Sequence, residues 1–282
     1  MYRERMLKWI EELADPSTRG TALRELSVHR ESFPDLAPML WQDMSKLMFV
    51  LQEISSIHHT IHLGLLPPDK VQRVCHALIL LHCLAAHPET RTAFLAANLP
   101  LLLYPFLYIQ HSTSQLECLR YRSLAVIETL VLSKEQQVIK FLLSTKFVPV
   151  CLRIMVSKEE PCKKYATFIL EQILLDDIGV SYNCQTYERF GLIAVHLREL
   201  VSSLSKKPSV KILKCVITCY SRLADNPRFR RMLRRYLPYT LRDGTFAAYL
   251  QLDASAKHCL TMLLKKLFEP QTPYTSDAYA LD

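Results

Sequence analysis

The chain has 282 residues, of which 50% are hydrophobic, 9% aromatic and 22% charged. That balance excludes a disordered polypeptide and describes a folded soluble protein, able to bury a large core in one or two domains or in one repeat array. With only 5 glycines, a glycine-consuming sheet or dinucleotide-binding fold is disfavoured, and a net charge of +8 points to an acidic partner without choosing among nucleic acid, anionic membrane and acidic protein.

The first residues, Met1-Tyr2-Arg3-Glu4-Arg5, lack the apolar stretch of a secretory signal, and no apolar run reaches the ~18 residues of a membrane span. An intracellular protein with 9 reduced cysteines is expected. Seven of them, Cys75, Cys83, Cys118, Cys151, Cys215, Cys219 and Cys259, stand among Leu, Val and Ile at helical spacing, as small buried hydrophobes do. Cys215 and Cys219 have no second ligand pair nearby, so no structural zinc is expected.

Along the chain apolar residues recur at i, i+3, i+4 and i+7, the helical period. Short breakers divide the stripes: Asp15-Pro16, Pro67-Pro68-Asp69, His87-Pro88, Lys207-Pro208-Ser209 and Asn226-Pro227. Their prolines read as helix starts, where a missing N–H costs nothing. After Pro16, a stripe at Trp41, Leu47, Met48 and Leu51 is compatible with a core face. His58, His59 and His62 follow without an acidic or Cys partner and carry no metal expectation. Val71, Val74, Cys75 and Leu78 begin the next helix.

From there the pattern repeats. A polar cap, a short amphipathic helix, a break and a further apolar helix occur from His87 to Leu101, from Ser133 to Val148 and from Asp225 to Leu241. Asp176-Asp177 through Leu192 fits between the last two, and Ile178-Gly179-Val180 reads as a helix end with a C-cap glycine. A spacing of roughly 42–47 residues is that of armadillo and HEAT units, which stack because one helical unit cannot cover its own apolar face. An all-α, armadillo-type solenoid wound as a right-handed superhelix is expected over residues 1–268, with residues 269–282 as a flexible tail. GxSxG, HExxH and phosphate-cradling glycine loops are absent, and neither catalysis nor a cofactor is expected.

Particular motifs go further. Ala22-Leu23, Glu25-Leu26-Ser27, Arg30-Glu31-Ser32 and Pro34-Asp35-Leu36-Ala37-Pro38-Met39-Leu40-Trp41 resemble the N-terminal signature of the Rcd ("required for cell differentiation") family, also known as the Caf-forty or Not-nine subunit of the Ccr–Not deadenylase complex. His87-Pro88-Glu89-Thr90-Arg91, Ala93-Phe94-Leu95-Ala96-Ala97 and Tyr104-Pro105-Phe106-Leu107 match its most distinctive stretch. Leu174-Leu175-Asp176-Asp177, Cys184-Gln185-Thr186-Tyr187-Glu188-Arg189-Phe190 and Asp225-Asn226-Pro227-Arg228 extend the similarity, which runs from about Lys8 to about Leu267.

The resemblance implies a non-catalytic adaptor that docks on the large Not scaffold subunit and serves mRNA decay in cytoplasmic processing bodies, with a nuclear pool. It implies binding of tryptophan-containing or short linear peptide motifs of RNA-silencing and RNA-binding proteins, and that two copies can form a homodimer. Scaffold docking carries over to Trp41, Gln42, Met44, Met48 and Ser55. Peptide binding carries over to Tyr187, Arg189 and Arg228, where a flat ring with a polar tip and a stacking guanidinium suit an indole. Cys118, Ala125, Pro161, Lys164 and Tyr165 depart from the family's groove residues, and bulk at Ala125 and Tyr165 narrows it. The residues themselves leave an alternative: Arg228, Arg231 and Arg235 share one helix face, which Lys211 extends, as in a direct nucleic-acid-binding solenoid.

Overall fold

The computed structural model describes residues 2–61, 66–109 and 113–269. His62, Gly64 and the expected tail beyond 269 lie outside them. Among the described residues every regular element is helical. The chain groups into two compact units, Met1–Tyr182 and Asn183–Asp282.

In the first unit α1 (Tyr2–Glu12) and α2 (Arg19–His29) precede a regular succession of short–short–long helices. The first set is α3 (Leu36–Gln42), α4 (Met44–Ser55) and α5 (Pro68–Ala86). The second is α6 (Pro88–Ala96), α7 (Tyr104–Leu107) and α8 (Ser114–Leu132). The third is α9 (Gln136–Ser144), α10 (Phe147–Met155) and α11 (Glu160–Leu175), followed by α12 (Asp177–Asn183). The long helices form the spine: α2 packs on α5, α5 on α8 and α8 on α11. Their facing sides bury Leu78, Leu81, Leu124, Ile127, Ile169 and Leu170 completely. Each such side chain stabilises the unit by about 1.5–3 kcal/mol, which is why neighbouring repeats are needed to close one core.

The second unit holds α13 (Tyr187–Lys206), α14 (Val210–Leu223), α15 (Pro227–Tyr236), α16 (Ala247–Leu250) and α17 (Ala254–Phe268). Here α14 packs on α17, and α15 lies against both α13 and α17. Phe190, Tyr220, Phe229 and Phe246 fill its interior.

Prolines open α5, α6 and α15, as their positions in the sequence lead one to expect. Pro16 and Pro208 instead lie in the turns before α2 and α14. With so few glycines the tight turns fall to other residues: Asn98 and Lys146, at the equivalent junctions after α6 and α9, both adopt φ of 56°. In two places the short helix also seals the helix before it. Arg91 Nε donates to the carbonyl of Ala85 at 3.0 Å, and Arg230 Nε to that of Ala224 at 3.0 Å. Both arginines cap the open carbonyls left where a long helix ends.

Gly179 departs from expectation. It does not end a helix but sits in the first turn of α12, where Asp176 Oδ1 accepts from the backbone N–H of Ile178 at 2.8 Å and of Gly179 at 3.3 Å. A Cβ at this position would stand 1.7 Å from the carbonyl oxygen of Ile173. The glycine is therefore required by the close approach of α12 to α11, and its C-cap reading is corrected.

Candidate functional site

The sequence brings an aromatic–guanidinium cluster together in the second unit by two capped helix starts. Thr186 accepts from the N–H of Arg189 at 3.3 Å and fixes the first turn of α13; Asn226 accepts from the N–H of Arg228 at 3.0 Å and fixes that of α15. Because residues three apart share a helix face, Tyr187 and Phe190 point together from α13. Phe229 on α15 stacks on Phe190 at 4.4 Å between centroids, and both are fully buried. Tyr187 meets Phe229 edge-on at 5.1 Å but remains 53% exposed.

Arg228 completes the cluster from the solvent side. Its guanidinium carbon lies 4.4 Å from the centre of the Tyr187 ring, and its Nε donates to the Tyr187 hydroxyl at 3.3 Å. The result is a flat, exposed platform of ring and guanidinium resting on two buried phenylalanines. Such a platform offers apolar area, a cation for a π face and a hydroxyl to a visiting side chain. Arg189 takes a different direction, its Nη1 donating to Gln185 at 2.9 Å.

Beyond Arg228, α15 exposes Arg231, Arg234 and Arg235. No ion pair joins these three to a described acid. Arg230, by contrast, is engaged as the cap of α14 and is no part of this exposed face. Lys211 is exposed on α14, whereas Lys214 one turn on pairs with Asp253 at 3.2 Å.

The remaining groove residues lie in the first unit. Ala125 is half-buried on α8, and Tyr165 on α11 packs edge-on against Tyr121 at 5.1 Å, with 3.3 Å between the two hydroxyls. Lys164 and Pro161 are exposed on the same helix. Cys118, read as a small buried hydrophobe, is instead only half-buried: it lines a cavity of about 410 Å³ with Glu117, Tyr121, Glu159, Pro161 and Cys162.

The scaffold-docking positions straddle a break. Trp41 and Gln42 end α3, Asp43 caps α4, and Met44 is the first residue of α4. Trp41 is half-buried and Gln42 exposed. Met44 and Met48, one turn apart, are 53% and 46% exposed, while Leu47 between them is buried. The core reading of Met48 therefore does not hold: the buried stripe of α4 runs through Leu47, Val50 and Ile54, and Met48 belongs to the opposite, wet face. Ser55 continues that face, half-buried.

His58 and Asp176 have structural roles. His58 packs edge-on against Phe106 at 5.1 Å, and burial holds its ring below the usual imidazole range. Asp176 is a helix cap. Among the described residues no three His, Cys, Asp or Glu side chains converge to hold a metal ion, and no helix is long and apolar enough to cross a membrane.

Comparison with known proteins agrees with these elements. Two designed armadillo-repeat proteins superpose with TM-scores of 0.63 and 0.59, each at 14% identity over 92% of this chain and 98% of theirs; the second was solved with the peptide (KR)4. That likeness establishes the armadillo-repeat fold. Cell differentiation protein rcd1 of Schizosaccharomyces pombe is 46% identical over 260 residues, 92% of each chain. Protein CAF40 of Saccharomyces cerevisiae is 44% identical over 262 residues, 93% of this chain and 70% of that protein. The model of the Rcd1-like cell differentiation family matches residues 9–267. On fold, motifs and near full-length similarity, the chain belongs to the Rcd1-like cell differentiation family.

Proposed function

We propose that this protein is a non-catalytic adaptor of the Ccr–Not deadenylase machinery, holding the large Not scaffold on one surface and short peptide motifs of RNA-regulatory proteins on another. Kinship with rcd1 and CAF40 supports the first half, together with the exposed Met44–Met48 face of α4. Two adjacent exposed methionines suit a docking surface, since thioether side chains repack readily against a partner. Such an adaptor works in cytoplasmic processing bodies and in the nucleus.

The single observation that carries the peptide half is the exposed platform of Arg228 on Tyr187. An indole laid on it gains contact area from the ring and cation–π attraction from the guanidinium. Titrating the full chain against a fluorescent tryptophan-containing peptide tests this. Saturable binding that falls roughly 5–30-fold in Tyr187→Ala is expected, a loss of about 1–2 kcal/mol at a central contact. Unchanged binding in that variant would remove the platform from the account.

A second reading is favoured by one specific observation, the run of exposed arginines Arg228, Arg231, Arg234 and Arg235 on a single short helix. That face suits the phosphates of a nucleic acid, and its affinity falls steeply with salt. Homodimerisation is compatible with either reading.

A further inference from the structure

Two cysteines meet where α5 and α8 pack together, a third at the start of α11 lines the same cavity as one of them, and the chemistry around them is unequal. Cys75 on α5 and Cys118 on α8 bring their sulfurs to 3.2 Å. Cys75 is buried, whereas Cys118 opens onto the cavity of about 410 Å³ between α8 and α11. One turn along α8 stands Arg122, whose Nε is buried without a hydrogen-bond partner and whose charge is paired with no described acid. Cys162, the third thiol, donates to Glu117 Oε2 at 3.4 Å.

We propose that Cys118 and Cys75 are a hydroperoxide-oxidised dithiol, with Cys118 as the attacking sulfur at the cavity and Cys75 as the resolving sulfur behind it. The Cys118 thiolate attacks one oxygen of the hydroperoxide. A sulfur–oxygen bond forms, the O–O bond breaks, and the departing alkoxide or hydroxide takes a proton from water. Cys75 sulfur then attacks the sulfenic sulfur of Cys118. The S–S bond forms, the S–O bond breaks, and hydroxide leaves with the Cys75 thiol proton as water. Two thiols and one hydroperoxide thus give a disulfide, an alcohol or water, and a second water. The sulfurs need only close from 3.2 Å to about 2.05 Å.

The surroundings select Cys118 over its neighbours. The hydrogen bond shared by the two sulfurs pulls the Cys118 thiol well below the ordinary range, and Arg122 acts in the same direction against partial burial. The same bond, with burial, pushes the Cys75 thiol up, so it keeps its proton until the second step. Burial, with the Glu117 carboxylate beside it, pushes Cys162 up to about 12 and keeps it out of the reaction. Thiolate character and access together decide which cysteine oxidises first.

The full reduced chain is treated with a small excess of hydrogen peroxide, and the products are mapped by protease digestion and mass spectrometry. Fragmentation must separate Cys75 from Cys83, because no Lys or Arg lies between them. The expected product is a Cys75–Cys118 disulfide, reversed by dithiothreitol, that forms before any change at the half-buried Cys215 and Cys259. In Cys75→Ser the reaction stops at a Cys118 sulfenic acid that dimedone traps. In Arg122→Gln the pH profile of Cys118 alkylation moves to higher pH, and at a pH below the thiol pKa the rate falls about tenfold for each unit of that shift. If wild-type Cys118 reacts no faster than Cys215 and Cys259, or oxidises without joining Cys75, the proposal is overturned. The wild-type measurement decides this even where a variant fails to fold.

Discussion

Arg228 holds its guanidinium 4.4 Å from the centre of the Tyr187 ring while its Nε reaches the hydroxyl of the same ring at 3.3 Å. One side chain thus uses both its flat face and its edge on a single partner. Arg228 also belongs to the exposed arginine run of α15, so the two proposed ligands, peptide and nucleic acid, make different demands on it. Stacking depends on the plane and survives moderate salt; phosphate binding depends on charge and does not. Arg228→Lys, which keeps charge and loses the plane, is expected to weaken tryptophan-peptide binding more than RNA binding. Arg231→Glu with Arg235→Glu is expected to do the reverse. Titrating both ligands at two salt concentrations separates these outcomes, and equal losses in every variant would contradict a division of labour on this helix.

Gly179 tests the packing of α12 on α11. The missing Cβ would lie 1.7 Å from the Ile173 carbonyl oxygen, and backbone cannot move aside as a flexible side chain can. Gly179→Ala is expected to destabilise the protein by about 1–3 kcal/mol or more, read from the urea midpoint. Gly191, which has nothing within 4 Å of an added Cβ, is the control: Gly191→Ala, within α13, is expected to be neutral or stabilising by up to ~1 kcal/mol. A Gly179→Ala protein as stable as the parent would mean that α12 does not approach α11 in this way.

Burial lowers the pKa of His58, His76 and His82 below the ordinary 6.5, with nearby arginines adding to the effect at His76 and His82. The unfolded chain therefore takes up protons more readily than the folded one once the pH falls below about 6.5. Stability from these rings is full above that value and declines as the pH drops toward their folded pKa values. Urea midpoints at pH 7.5 and 5.5 are expected to show this decline. His82→Gln is expected to make it shallower, since it removes one of the buried rings whose protonation burial opposes. A midpoint that rises on acidification would contradict the burial of these rings.

Much of this was legible in the sequence for a physical reason: helix period and proline starts are local signals. The stripe at Val71, Val74 and Leu78, and the starts at Pro88 and Pro227, needed no tertiary knowledge. Resemblance to a family named Tyr187 and Arg228 as peptide-binding residues but did not pair them, because they are 41 positions apart in the chain. What stayed hidden depends on neighbours in space. Gly179 looked like a helix end because a glycine after an acidic pair has that local signature; only the approach of α12 to Ile173 explains it. Arg230 stands among the arginines of Pro227–Tyr236 in the sequence, yet a carbonyl of the preceding helix claims it. Cys118 and Met48 carried apolar signals, and whether an apolar residue faces core or solvent on a repeat depends on which neighbours cover it.

Met48 offers the most direct test of the adaptor account. It is 46% exposed, off the buried stripe of Leu47, Val50 and Ile54, so Met48→Glu is expected to keep its helical circular dichroism and change stability by no more than about 0.5 kcal/mol. A carboxylate desolvated in an apolar interface, however, costs several kcal/mol unless paired. The decisive measurement is affinity purification of the tagged full chain after ribonuclease treatment in salt that strips RNA, followed by mass spectrometry. The account predicts stoichiometric recovery of the large Not scaffold and the deadenylase subunits with the parent chain, and their loss with Met48→Glu. Recovery of neither with the parent chain, or equal recovery with both proteins, would contradict it.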